Sequence, residues 1–179
     1  MRVHRWIASG LAVVCSALLV SACQAPAPEP AAEPVDHAAT LQGPTEAFAN
    51  AWQTGNTDAL DEVVDPSYER RAPAGGSASG PEELKARINE FHTAYPDMDL
   101  TIDDIYYLEN TAIVRWTFRG TNTGPGPGDA QPTGNAVQVS GMTEARFVDG
   151  KIVLEDVYFD SLSWMEQLGF SLAPGADGS

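Results

Sequence analysis

Residues 79–108, SGPEELKARINEFHTAYPDMDLTIDDIYYL, change period in mid-stretch. The first half repeats at helical spacing: Leu84, Ile88 and Phe91 form one apolar stripe. Ser79 or Gly80 caps it, Pro81 suits a first turn, and Glu82 and Glu83 sit at the positive end of the helix dipole. After Pro96 the period falls to two. Met98, Leu100, Ile102, Asp104, Tyr106 and Leu108 share one face of a strand, and Asp97, Asp99, Thr101, Asp103 and Ile105 share the other. Period two then recurs in three more strands as far as residue 161, after a turn at Glu109-Asn110 and on either side of a loop, GTNTGPGPGDAQPTG. One further strand carries Ala112, Val114, Trp116 and Phe118 on one face and Ile113, Arg115, Thr117 and Arg119 on the other, and two more run Ala136 to Phe147 and Lys151 to Ser161. Asp149-Gly150 between the last two is a hairpin turn signal. Upstream, Pro44 to Thr54 has a helical face of Ala47, Phe48, Ala51 and Trp52 closed by Gly55. A short second helix carrying Leu60, Val63 and Val64 stops before Pro66, and a brief extended piece surrounds Tyr68. Helices first and four long strands after predict an α+β domain, with helices on one face of a curved sheet.

The ends of the chain carry an address. MRVHRWIASGLAVVCSALLVSAC opens with Arg2 and Arg5, continues with an apolar run from Ile7 to Val20, and ends in small residues. That is the anatomy of a secretory leader, too short in its apolar part for a comfortable span. Val20, Ser21, Ala22 and Cys23 resemble the bacterial lipobox, which implies a mature chain beginning at an acylated Cys23. The expected division is a lipoprotein signal peptide over 1–22, a lipidated, Pro/Ala-rich tether over 23–40, the folded domain over 41–170, and a loose tail over 171–179. Two or more acyl chains would hold such a protein stably at a membrane of the cell envelope, its domain exported. After Cys23 there is no cysteine, so no disulfide, zinc-thiolate set or cysteine nucleophile is available. The formal charge is -15, and loss of Arg2 and Arg5 with the leader makes it -17. A field of that sign repels nucleic acid.

In order and spacing, AFANAWQTGNTDALDEVV (47–64), GPEELKARINEFHTAYPDMDLTIDDI (80–105), AIVRWTFRGTNTG (112–124), PTGNAVQVSGMTEARFVDGKIV (132–153) and YFDSLSWMEQLG (158–169) resemble the SnoaL-like polyketide cyclases and ester cyclases. These belong to the wider nuclear-transport-factor-2-like superfamily. The resemblance implies a cone, a mainly antiparallel sheet of four to six strands bent around a helix, with an apolar pocket at one end. It implies that Asp160, the aspartate of YFD, is the general base that removes a carbon acid's proton during ring closure. Two positions depart from the family pattern. Where a histidine is common in a Y-x-x-H-x-P context this chain has Arg71, within YERRAP, and at the E-x-W positions before the aspartate it has Leu154 and Asp156.

Strand parity groups Asp160 with Ile152, Leu154, Asp156 and Tyr158. If the apolar members face the interior, two carboxylates and a phenol face it too, and burial would poise a carboxylate near neutral pH. Candidate catalytic residues are therefore Asp160, then Asp156 and Arg71. Candidate pocket residues are Trp116, Phe118, Tyr106, Tyr158 and Phe91, with core filling as the alternative for each. Arg115 and Arg119 lie on the opposite face. No metal or cofactor is expected: His37 lies in the tether, His92 on a helix, and GPGPG lacks the context of a nucleotide loop. The expected partner is a small apolar ligand or substrate. The alternative functions are a non-catalytic binding module and an interaction protein that uses the open sheet face to form a homodimer or dock a partner.

Overall fold

The computed structural model describes residues 36–73, 76–126 and 130–171. The leader, Cys23 and most of the tether lie outside the described residues. Helix α1 spans Ala38–Thr54, α2 Leu60–Val63, α3 Gly80–Ala94 and α4 Ser161–Gln167. Strands are β1 Val64–Arg71, β2 Ala78–Ser79, β3 Asp99–Leu108, β4 Thr111–Thr121, β5 Ala136–Val148 and β6 Lys151–Phe159. They make one six-stranded sheet in the order β2-β1-β6-β5-β4-β3. All neighbours are antiparallel except β1 and β6, which run parallel. That pairing is possible because the rest of the domain forms the long crossover that parallel strands require. The fold is thus α+β, with helices against one face of a mixed sheet.

The core lies between that face and α1 to α3. Leu60, Leu84, Ile88 and Ile152 are fully enclosed, and Ala51, Val64, Tyr68, Ala112 and Phe147 pack with them. Burying each large aliphatic side chain contributes about 1.5–3 kcal/mol. A second cluster, Tyr95, Phe118, Val137 and Val139, continues the core toward α4. Helix α1 begins at Ala38, inside the stretch expected to be tether. At the start of α3, of the two expected caps Ser79 and Gly80, Ser79 holds the cap position, but its hydroxyl leaves the helix alone and donates to Glu69. Instead the carboxylate of Glu83, in the first turn, accepts from the Ser79 backbone N–H at 2.8 Å.

Two strands break step. On β3, Ile102 pairs with Trp116 but Asp104 pairs with Arg115, so Asp103 is an extra residue. On β6, Ile152 pairs with Phe147 but Leu154 with Arg146, so Val153 is an extra residue. Each bulge reverses the faces beyond it. Beside the β6 bulge, β1 is also irregular: Val64 pairs with Ile152 and Glu69 with Leu154, with Asp65-Pro66-Ser67 kinked between them. Asp65 accepts from both the Ser67 N–H (2.8 Å) and its hydroxyl (2.6 Å), an Asx turn ahead of Tyr68. These adjacent irregularities decide which side chains enter the interior.

Candidate functional site

A cavity of about 90 Å³ opens between the concave sheet face, α1 and α3, several times the 10–15 Å³ one water needs. Its wall is mostly apolar and aromatic, with Phe48, Trp52, Phe91, Trp116, Phe118 and Trp164 among its members. A second cavity of about 230 Å³ lies on the other side of Arg70, Phe91, Phe159 and Trp164, which line both. Trp164 of α4 packs on Phe118 at 4.9 Å between ring centroids and edge-on to Phe91 and Tyr95.

Charge enters this wall at one place. Glu155 is 2% exposed, and its Oε1 pairs with Arg70 Nη1 at 2.5 Å. Its Oε2 accepts from the Tyr68 hydroxyl, also at 2.5 Å. Arg70 and Glu155 are direct partners across the parallel β1–β6 ladder, so both side chains leave the sheet on the same face. Arg70 further donates from Nε to the Gly76 carbonyl at 2.9 Å, and its guanidinium stacks 4.5 Å from the Trp52 ring centroid. Burial, and then the negative charge of Glu155, hold the Tyr68 hydroxyl well above its ordinary range, so it stays a proton donor at neutral pH. Burial disfavours the Arg70 cation, but Glu155 and then Tyr68 outweigh it and hold Arg70 protonated. Trp116 reaches the same wall, its Nε1 donating to Thr143 Oγ1 at 3.0 Å.

The candidates divide by face. Trp116, Phe118 and Phe91 line the cavity. Tyr106 and Tyr158 do not: both are exposed on the outer face, because the bulges at Asp103 and Val153 turn them there. Asp156 and Arg71 are also outside. They are ladder partners on that face, 3.7 Å apart, with Arg71 largely in solvent. Asp160 is exposed beyond the end of β6 and caps α4, its Oδ1 accepting from Ser163 N–H at 2.9 Å. The expected inward set of Leu154, Asp156, Tyr158 and Asp160 is therefore displaced by one residue, and Glu155, Val157 and Phe159 face the cavity instead. Neither Glu155 nor Arg70 was singled out from the sequence. Its signal was the pair of doublets, Arg70-Arg71 and Glu155-Asp156, each able to send one member inward. Arg115 pairs with Asp104 at 2.6 Å on the outer face. Among the described residues no three His, Cys, Asp or Glu side chains converge as metal ligands would, and no helix is long and apolar enough to cross a membrane.

The family described as SnoaL-like polyketide cyclase matches residues 45–168. Among curated proteins none matches the sequence. Among solved structures, TsrD from Streptomyces laurentii is 29% identical over 73% of this chain and 96% of its own, with a TM-score of 0.64. A Jannaschia protein assigned to the SnoaL-like polyketide cyclases superposes with a TM-score of 0.65 at 17% identity, over 78% of this chain and all (100%) of its own. IdmH from Streptomyces antibioticus, assigned as a polyketide cyclase, has a TM-score of 0.58 at 23% identity, over 71% of this chain and 99% of its own.

Proposed function

Since this chain belongs to the SnoaL-like polyketide cyclase family, we propose that it is an acid–base enzyme acting on a small apolar carbonyl compound, with Glu155 as the group that moves the proton. One observation carries the reading: a carboxylate enclosed in an aromatic cavity, held between a guanidinium and a phenol. Both Glu155 oxygens are engaged by the protein, and each keeps a second lone pair. In the proposed step Glu155 takes a proton from the carbon next to a substrate carbonyl. The electron pair of that C–H bond moves onto the carbonyl oxygen, and the remaining Arg70 N–H donors stabilise the enolate. The enolate carbon then attacks a second carbonyl of the same molecule, and Glu155 returns the proton to the alkoxide. Tyr68 keeps the carboxylate oriented. Asp160, which the family resemblance implied for this role, stands outside the cavity as a helix cap.

The test uses acetophenone in D₂O, with the full chain and exchange of the methyl protons followed by NMR. The wild type should accelerate exchange, and Glu155→Gln should lower the rate by about 10²–10⁴-fold, the usual worth of a positioned acid–base group. Asp160→Asn should leave it unchanged. Equal rates in wild type and Glu155→Gln would remove Glu155 from the chemistry. A second reading, a binding module without turnover, has its own support: the Arg70–Glu155–Tyr68 set is already closed on itself. Binding of acetophenone with no exchange would decide for that reading.

We further propose that the domain is held at a membrane by acyl chains on Cys23, on the strength of the lipobox-like Val20–Cys23 and the Pro/Ala-rich segment after it. Cells fed labelled palmitate should incorporate the label into the wild type and not into Cys23→Ser. Absence of label from the wild type, or equal label in both, would refute the anchor.

A further inference from the structure

Arg70, Phe91, Phe159 and Trp164 stand between the inner cavity of about 90 Å³ and the outer one of about 230 Å³. Most of this partition is built into the domain. Arg70 is held by Glu155 and the Gly76 carbonyl, Phe91 packs against both core clusters, and Phe159 lies in the sheet beside Gly141. Trp164 differs, because it belongs to α4, a helix none of whose residues is buried. Its half-buried ring closes the partition by stacking on Phe118 and meeting Phe159 at 5.6 Å.

The fastening of α4 is releasable. The helix follows β6 through Asp160 alone, a residue in neither element, with φ of -75° and ψ of 88°. Its far end is tied chiefly by Gln167, whose Oε1 accepts from the Gln138 N–H at 2.8 Å and whose Nε2 donates to the Gln138 carbonyl at 3.1 Å. Asn135 Nδ2 adds a bond to the Leu168 carbonyl at 2.9 Å. These bonds are exposed, so water competes for each and their net worth is modest. Leu162 and Met165 are exposed already, so opening uncovers little apolar surface beyond Trp164 and Leu168.

We propose that α4 is a hinged gate: it turns about Asp160, its Trp164 ring is the shutter between the two cavities, and the Gln167–Gln138 bonds are the latch. A ligand reaches the inner cavity by way of the outer one while the gate stands open, and Trp164 sets how fast it enters and leaves. Weakly held elements over binding sites are the ones that move in this way.

The probe is benzene, added to the full chain. Apolar cavities take it up, and it offers Glu155 no carbonyl compound to act on, so the outcome does not depend on the proposed chemistry. NMR line shapes at the indole N–H of Trp116, a residue of the inner wall and not the outer, read exchange between free and bound forms. Gln167→Ala removes the latch from the free and the bound protein alike. It should raise the association and dissociation rates together, by about tenfold, and leave the Kd unchanged. Trp164→Ala removes the shutter and joins the cavities. Both rates should rise, and adding Gln167→Ala should change nothing further, because the latch then has no shutter to hold. Should Trp164→Ala fold poorly, Gln167→Ala decides alone. Unaltered rates in Gln167→Ala, or a weaker Kd with no faster association, overturn the gate and leave Gln167 a structural residue. Effects that multiply in the double variant overturn the link between latch and shutter. A Trp116 resonance that benzene never shifts overturns the gate as well, because no route to the inner cavity would then exist.

Discussion

Arg70 and Glu155 meet almost fully buried, so each depends on the other more than surface ions do. An enclosed ion pair is weak evidence of stabilisation, because desolvation offsets most of the attraction, yet removal of one partner strands a charge. Glu155→Leu should therefore cost about 3–5 kcal/mol by leaving Arg70 unpaired. The double variant Arg70→Met/Glu155→Leu should recover most of that loss. Urea unfolding of the four proteins in the cycle measures the coupling, and additive losses would refute it. Asp160 differs in kind. Its carboxylate serves a short helix, and Asp160→Ala should cost about 1 kcal/mol in the same assay, as a lost N-cap does. The two carboxylates, five positions apart, thus separate cleanly: one should govern proton exchange, the other only the seating of α4 and Trp164.

Strands explain both what was legible and what was not. Along β4 Ala112, Val114 and Phe118 are buried and Trp116 half-buried on the expected face, and Asp149-Gly150 makes the hairpin with both residues at positive φ (49° and 78°). The α+β order was legible too, because its elements are long and periodic. Strands β3 and β6 carry one extra residue each, and a bulge has no dedicated residue type. Val153 sits in the apolar run Ile152-Val153-Leu154, where either parity suits the core. Asp103 precedes another aspartate, so neither is an obvious misfit outside. Strict alternation therefore misplaced Tyr106, Asp156, Tyr158 and Asp160 by a single step, and the site went with them. Gly141 on β5 shows how tightly the corrected register is held. A Cβ there would run into the Trp116 ring and lie 2.7 Å from the Tyr158 carbonyl oxygen. Gly141→Ala should destabilise by about 1–3 kcal/mol through overpacking and should also weaken acetophenone binding by pushing Trp116 into the cavity. Thermal unfolding and titration check the two effects, and unchanged values would mean that the sheet yields there at little cost.

Across the whole molecule the same burial that shapes the cavity sets how stability should follow pH. Three phenols are raised above their ordinary range: Tyr68 by burial and then Glu155, Tyr95 by burial, and Tyr107 by burial and then Glu46. Above about pH 10 the unfolded chain releases those protons while the native state keeps them. The native state then binds more protons, so stability falls as pH rises, whereas below that range the contribution is fully present. The opposite limb belongs to carboxylates. Asp97, held down by the hydroxyl and then the N–H of Thr121, and Asp65, held down by Ser67, stabilise above about pH 4 and lose that contribution as acid protonates them. The melting temperature should therefore form a plateau bounded by an acid limb and an alkaline one. Tyr68 is the most deeply enclosed of the three phenols, so it should supply the largest share of the alkaline slope. Tyr68→Phe removes its titration and its bond to Glu155 together. It should lower the plateau, because Glu155 loses a donor, and flatten the fall above pH 10, because one fewer proton distinguishes the two states. A lowered plateau with an unchanged alkaline slope would mean that the Tyr68 proton is lost as readily in the folded chain as in the unfolded one, and that its hydroxyl is not the fixed donor on which the orientation of Glu155 depends.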